Sequence, residues 1–240
     1  EDLGGADMHA QVAGTAEYVA ESDADAIRQA REVMTRLAPS WNGALNTSSN
    51  NITAQVAAAS RDSQIQPPLY SPDELAGLVP VDYRQPYDCK EVIARITDGS
   101  DFLEFKGEFD AQTICAQGNI GGHAVGFIGN NGPITPQGAV KAAQFIQLCN
   151  QVRTPIIFLQ NTTGFLVGTQ AEQGGIVKHG SKMLQAVANS TVPHLTMVLG
   201  GGAIGREGPT LQIAGSIYRT VHKLLPPFWP RVSRQIMMIT

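Results

Sequence analysis

Two glycine-rich stretches carry the chemistry that this sequence offers most directly. The first is Asn161-Thr162-Thr163-Gly164-Phe165-Leu166-Val167-Gly168 and the second is Gly200-Gly201-Gly202-Ala203-Ile204-Gly205. Each follows a short apolar run, Pro155 to Leu159 and Val192 to Leu199, and so stands at the end of an expected strand. Glycine there lets a backbone come close to a ligand, and the first N–H groups of a following helix point outward toward an anion. An enolate oxygen is such an anion, and aimed N–H donors stabilise it strongly. The same glycines also suit plain tight turns. Two such loops in consecutive units favour ligand binding.

Side chains suited to act as acid, base or nucleophile are scarce. His123, His179, His194 and His222 have no triad-like context, and a lone histidine is commonly a packed or surface residue. Lys178 and His179 are within range of a phosphate if the helix that carries them faces a ligand, but a helical lysine is more often solvated. Glu172 and Glu207 are the loop carboxylates available to a general base. The three cysteines, Cys89, Cys115 and Cys149, are widely spaced with no CxxC pattern, so structural thiols and no metal site are expected. A reaction that needs no protein nucleophile fits this set.

The elements that must position these loops follow from periodicity. Ala26, Ile27, Ala30, Val33, Met34 and Leu37 predict an amphipathic helix over 24–37, with Asp23 or Ser22 as its cap. Ser40 to Gln66 is rich in Ser, Asn, Ala and Gln and ends at Pro67-Pro68, the composition of a linker. Asp88 caps an expected helix from Cys89 to Thr97. Thr113 to Ile120 and Ala124 to Ile128, separated by Gly121-Gly122, read as a hairpin. A helix is expected after Pro136, a buried strand over 155–159, a helix over 174–188 and another buried strand over 192–199. Strand and helix alternating across Gly-rich junctions is the pattern of an α/β layer.

With 42% hydrophobic and 16% charged residues, the 240-residue chain can bury a substantial core. A formal net charge of -4 gives no electrostatic ground for nucleic-acid binding. No apolar run approaches the roughly 18 residues that span a bilayer, and no signal-peptide pattern opens the chain, so no membrane partner is expected. Glu1 is not an initiator Met, and the first residue is not taken as a native start.

An ordered series of motifs resembles a known family. Pro68-Leu69-Tyr70, Pro72-Asp73-Glu74-Leu75, Arg84-Gln85-Pro86-Tyr87-Asp88 and Asp98-Gly99-Ser100 resemble the opening of the C-domain in β-subunits of biotin-dependent acyl-CoA carboxylases. Glu104-Phe105-Lys106, Gly129-Asn130-Asn131-Gly132, Phe145-Ile146-Gln147-Leu148-Cys149, Gln160 to Phe165 and Lys178-His179-Gly180-Ser181-Lys182-Met183 continue the match in order. Leu3-Gly4-Gly5-Ala6-Asp7-Met8-His9 is similar to the end of the preceding N-domain. The resemblance implies the end of an N-domain over 1–38, a linker over 39–67 and a partial C-domain over 68–240. The implied fold is α/β, a crotonase-like ββα superhelix of which this chain holds most of the C-domain half.

The resemblance also implies an activity. Carboxybiotin, borne by a biotin carboxylase and biotin carrier α-subunit, delivers its carboxyl group to the γ-carbon of an unsaturated acyl-CoA, and the β-subunits form homo-oligomers, hexamers in the family. The family's setting is the cytoplasm or the mitochondrial matrix. Asn161-Thr162-Thr163-Gly164-Phe165 stands where propionyl- and acetyl-CoA enzymes carry Asp-x-Pro-Gly-Phe, which favours the branched-chain group. Lys178 to Met183 and Gln185-Ala186-Val187 look more like geranyl-CoA carboxylase than 3-methylcrotonyl-CoA carboxylase.

By the same resemblance, Gly164, Phe165, Gly201, Gly202, Ala203, Asn131 and Gly132 are the residues expected to bind biotin or acyl-CoA. Gly205 and Arg206 are the expected catalytic backbone donors. The sequence departs from the family at Arg206-Glu207-Gly208-Pro209, where Pro209 has no N–H to give, and the chain by itself is not expected to turn over. Two rivals remain at this stage: a crotonase-fold hydratase or isomerase relying on Glu172 or Glu207, and a non-catalytic assembly relative.

Overall fold

The computed structural model describes residues 4–45, 65–80, 87–161 and 164–199. After a π-helical turn over Met8–Val12, helix α1 runs Asp23–Leu45. A 3-10 turn and the one-turn helix α2 (Leu75–Leu78) precede α3 (Cys89–Ile96). Strands β1 (Phe102–Glu104), β2 (Thr113–Ile120) and β3 (His123–Asn130) come next, then helix α4 (Pro136–Gln151) and strand β4 (Ile156–Gln160). Short helix α5 (Thr169–Gln173), helix α6 (Ile176–Ala188) and strand β5 (His194–Val198) complete the described order.

The five strands among the described residues form one sheet in sequence order. β1, β2 and β3 are antiparallel neighbours, whereas β3–β4 and β4–β5 are parallel. The β2–β3 register pairs Ile120 with His123 across Gly121 and Gly122, both with positive φ, as a two-residue turn of this kind demands. Asp98 fixes that turn by accepting from the Gly121 and Gly122 amides at 2.8 and 2.7 Å.

Side chains of alternating parity build two cores, one on each face. Cys115, Ile128 and Ile156 pack with Ala142, Phe145, Ile146 and Cys149 of α4 and Ala186 of α6. Ile114, Ala116, Phe127, Ile157 and Leu159 pack with Cys89, Val92 and Ile93 of α3. The result is an α/β/α sandwich, the layered solution to a sheet apolar on both faces. α3 sits close because Gly129 leaves room: a Cβ there would stand 2.2 Å from Cys89 Sγ. Asp88 caps α3 as expected, accepting from the Lys90 amide at 3.0 Å.

Three expectations are corrected. The first helix does not end at Leu37 but runs through Pro39 to Leu45, giving up the backbone bond that proline cannot donate. Those last residues fall within the stretch read as linker, of which 46–64 lie outside the described residues. The helix expected over 174–188 begins only at Ile176, because Gly175 adopts a left-handed φ of 80° and separates it from α5. The strand over 192–199 is not buried: Leu195 is 57% and Val198 49% exposed, because β5 borders the sheet among the described residues. Among those residues no helix is long and apolar enough to cross a membrane.

Candidate functional site

The parallel register places the carboxyl ends of β3, β4 and β5 on one edge of the sheet, where α/β proteins bind ligands. Two loops leave that edge and touch each other. Ile134, between β3 and α4, donates its amide to the Gly164 carbonyl at 3.0 Å and accepts from the Leu166 amide at 2.8 Å. Ile134 and Phe165 thus form a short parallel bridge outside the main sheet. At the base of the loops, Asn161 Nδ2 lies 3.4 Å from the Asn130 carbonyl.

Phe165 anchors the second loop to α6. A Cβ at Gly180 would lie 3.3 Å from the Phe165 ring, so glycine brings the helix against the aromatic face. Gly164 holds φ at 131°, and a Cβ built on it meets nothing within 4 Å among the described residues. Gly168, at φ 130°, is equally open. Among the described residues the loop thus leaves room for a Cβ at Gly164 and Gly168, while Phe165 packs against α6.

Asn131 and Gly132 occupy the other loop. Asn131 accepts from the Cys89 amide at 2.7 Å through Oδ1, and its Nδ2 donates to Asp88 at 3.1 Å, so its side chain ties the loop to the start of α3. A Cβ at Gly132 would stand 2.8 Å from Gln112 Oε1. Gly201, Gly202, Ala203, Gly205 and Arg206 lie outside the described residues. The structure thus brings Asn131 and Gly132 to the same edge as Gly164 and Phe165.

The titratable groups of the elements that carry these loops are muted. Burial, then the charges of Lys182 and Lys178, holds His179 below the usual histidine range. Its Nδ1 is buried without a hydrogen-bond partner among the described residues. Burial also lowers His194, whose Nε2 lies 2.8 Å from Ser190 Oγ. Cys89 and Cys149 are each pushed up to about 12 chiefly by burial, so they are inert thiols near neutrality. A cleft of about 530 Å³ lined by Arg28, Glu32, Arg36 and Asp101 lies at the amino ends of the parallel strands, opposite the candidate site. Its cations are already paired: Arg36 bonds Glu32 at 3.1 Å and Asp101 at 2.9 Å.

Two contributions escaped the sequence reading. The bracketing role of Ile134 is a backbone function with no residue-type signal. The Phe165–Gly180 contact joins residues that local pattern cannot pair. The Thr135-Pro136 dipeptide was the available clue to where α4 starts, since Thr135 is its N-cap and Pro136 its first residue.

An α/β sandwich with glycine-bearing loops at the carboxyl ends of its parallel strands has the architecture in which α/β proteins commonly bind ligands, and the comparisons make the class specific. The carboxyl transferase domain matches residues 1–223. The chain belongs to that family. It is 42% identical over 204 residues to the probable mitochondrial methylcrotonoyl-CoA carboxylase beta chain of Drosophila melanogaster, covering 84% of this chain. It is 58% identical to the solved β-subunit of P. aeruginosa geranyl-CoA carboxylase, at a TM-score of 0.54 over 82% of this chain. The solved 12S transcarboxylase, a hexamer, matches over 82% of the chain at 32% identity with a TM-score of 0.67. These likenesses carry the crotonase-like α/β fold. The chain spans 35% of the Drosophila relative and 39% and 37% of the two solved chains.

Proposed function

We propose that this chain is part of a β-subunit that transfers a carboxyl group from carboxybiotin to the γ-carbon of an unsaturated branched acyl-CoA, geranyl-CoA in first place. The observation that carries the substrate choice is the 58% identity to the geranyl-CoA carboxylase β-subunit. The methylcrotonyl-CoA alternative rests on the 42% identity to the Drosophila chain.

The absence of a side chain at Gly164 and Gly168, where a Cβ would have no neighbour within 4 Å among the described residues, fits a ring pressed flat against main chain. Bound biotin would supply the transferable carboxyl group and, once relieved of it, a basic site for the substrate's γ-proton. Phe165, braced on Gly180, keeps the loop from collapsing into that space. Gly201, Gly202 and Ala203 contribute to the same ligand surface in this reading, with Gly205 and Arg206 as backbone donors to developing negative charge. Asn131 and Gly132 act from the facing loop. The partners are a biotin carboxylase and biotin carrier α-subunit and further copies of the β-subunit, and the setting is the cytoplasm or the mitochondrial matrix.

The test is steady-state carboxylation by the assembled carboxylase that contains this chain, with geranyl-CoA and 3-methylcrotonyl-CoA compared by kcat/KM. Geranyl-CoA is expected to be preferred. The reverse preference assigns the methylcrotonyl reading, and no turnover of either defeats both. In the same assembly Gly164→Val is expected to lower turnover by about 100-fold, the loss typical of one aimed donor, because a Cβ intrudes where backbone meets ligand. Unchanged turnover would mean that this loop is only a turn.

A further inference from the structure

The Gly164–Leu166 loop is tethered to the body of the protein by a chain of contacts that begins at Asp110. Asp110 lies between β1 and β2 with φ at 51°, in the left-handed region that residues with a Cβ seldom adopt. Such a conformation persists where its surroundings over-determine it. Here Oδ1 accepts from Thr135 Oγ1 at 2.9 Å and Oδ2 from the Thr113 amide at 3.1 Å. The Asp110 carbonyl accepts from Lys141 Nζ at 3.3 Å.

Thr135 passes this anchoring on. Its hydroxyl gives its one proton to Asp110 and accepts from the Gly138 amide at 2.9 Å, capping α4. Gly138 is required for the approach: a Cβ there would stand 2.4 Å from Asp110 Oδ2 and 2.1 Å from Thr113 Oγ1. The carboxylate thereby faces the amino end of a 16-residue helix, where negative charge is favourable. The residue before Thr135 is Ile134, whose two backbone hydrogen bonds hold Gly164 and Leu166.

We propose that Asp110 is a positioning residue for the candidate site: its carboxylate fixes the Thr135 hydroxyl at the start of α4, and Ile134 in consequence holds the Gly164–Leu166 segment in one place. The functional meaning rests on the reading of that loop as the ligand surface, but the coupling itself is measurable without any ligand.

The experiment is residue-resolved amide hydrogen exchange on the full chain and three variants. Asp110→Gly removes the carboxylate while easing the left-handed backbone, so the fold is expected to survive it. The Ile134 and Leu166 amides are expected to exchange about tenfold faster in Asp110→Gly and Thr135→Val, while the β2–β3 hairpin beyond Thr113, whose own amide bonds the Asp110 carboxylate, keeps its protection. Thr135→Ser keeps the hydroxyl and is expected to restore wild-type exchange. Unchanged protection of Ile134 and Leu166 in Asp110→Gly overturns the proposal, and so does acceleration of the hairpin to the same extent. Coupling seen by exchange alongside a Gly164→Val variant of full activity would sink the reading of the loop as a site and leave the positioning intact.

Discussion

Lys141 has no exposed surface, which is rare for a lysine, and its surroundings explain how that is tolerated. Its ammonium donates to the Asp110 carbonyl at 3.3 Å and stands 4.0 Å from Glu104 Oε1, near enough for attraction but beyond hydrogen-bond reach. Glu104 leans the other way, toward Lys90 at 3.2 Å. Burial lowers the Lys141 pKa, opposed by the charges of Cys115, Glu104 and Asp110. Two effects compete on substitution: the buried stem fills space among core residues, and the charge offsets Glu104. Lys141→Ala removes both and is expected to lose about 3 kcal/mol. Lys141→Met keeps the volume and is expected to lose less, since the packing is retained and Glu104 still has Lys90 at 3.2 Å to offset its charge. Urea unfolding midpoints at constant slope measure both. Equal losses would show that charge, not packing, decides the site.

At the scale of elements, the start of α4 is where packing overrules propensity. Alanine is favoured over glycine in a helix by about 1 kcal/mol, which by itself predicts that Gly138→Ala stabilises. The Cβ would meet Thr113 Oγ1 at 2.1 Å and Asp110 Oδ2 at 2.4 Å; Thr113 is buried, and the Asp110 carboxylate is held by the Thr113 amide and the Thr135 hydroxyl. Overpacking of this kind costs about 1–3 kcal/mol, so Gly138→Ala is expected to be net destabilising by thermal unfolding. Gly77→Ala in α2 is the control, since nothing lies within 4 Å of a Cβ there, and it is expected to be neutral or slightly stabilising. The same contrast separates what was legible at this scale. The Asp88 cap and the Gly121-Gly122 turn are local chemistry and stand where the sequence puts them. The break between α5 and α6 was not, because Gly174-Gly175 carries no periodic signal of its own and reads as the first residues of one helix.

For the whole molecule, α6 and β5 leave apolar surface outside: Val177 is 78% and Leu184 60% exposed, and the two are seven residues apart on one helical face. A further copy of the β-subunit, proposed above as a partner, is the expected cover. Leu184→Glu is expected to weaken self-association about tenfold, the worth of one buried leucine, as read by sedimentation over a concentration series. Wild-type and variant chains that associate equally would move the interface elsewhere. The sequence alone determined the α/β class, the hairpin, the capped helix and membership of the family, since periodicity, turn residues and ordered motifs are all local in the chain. Only the tertiary structure decided that Ile134 meets Gly164 and Leu166, that Phe165 rests on Gly180, that Lys141 is buried beside Asp110, and that β5 stands half-exposed, bordering the sheet among the described residues. Each of these is a pairing between distant segments, and a hydrophobic period states which face is apolar without stating what will cover it.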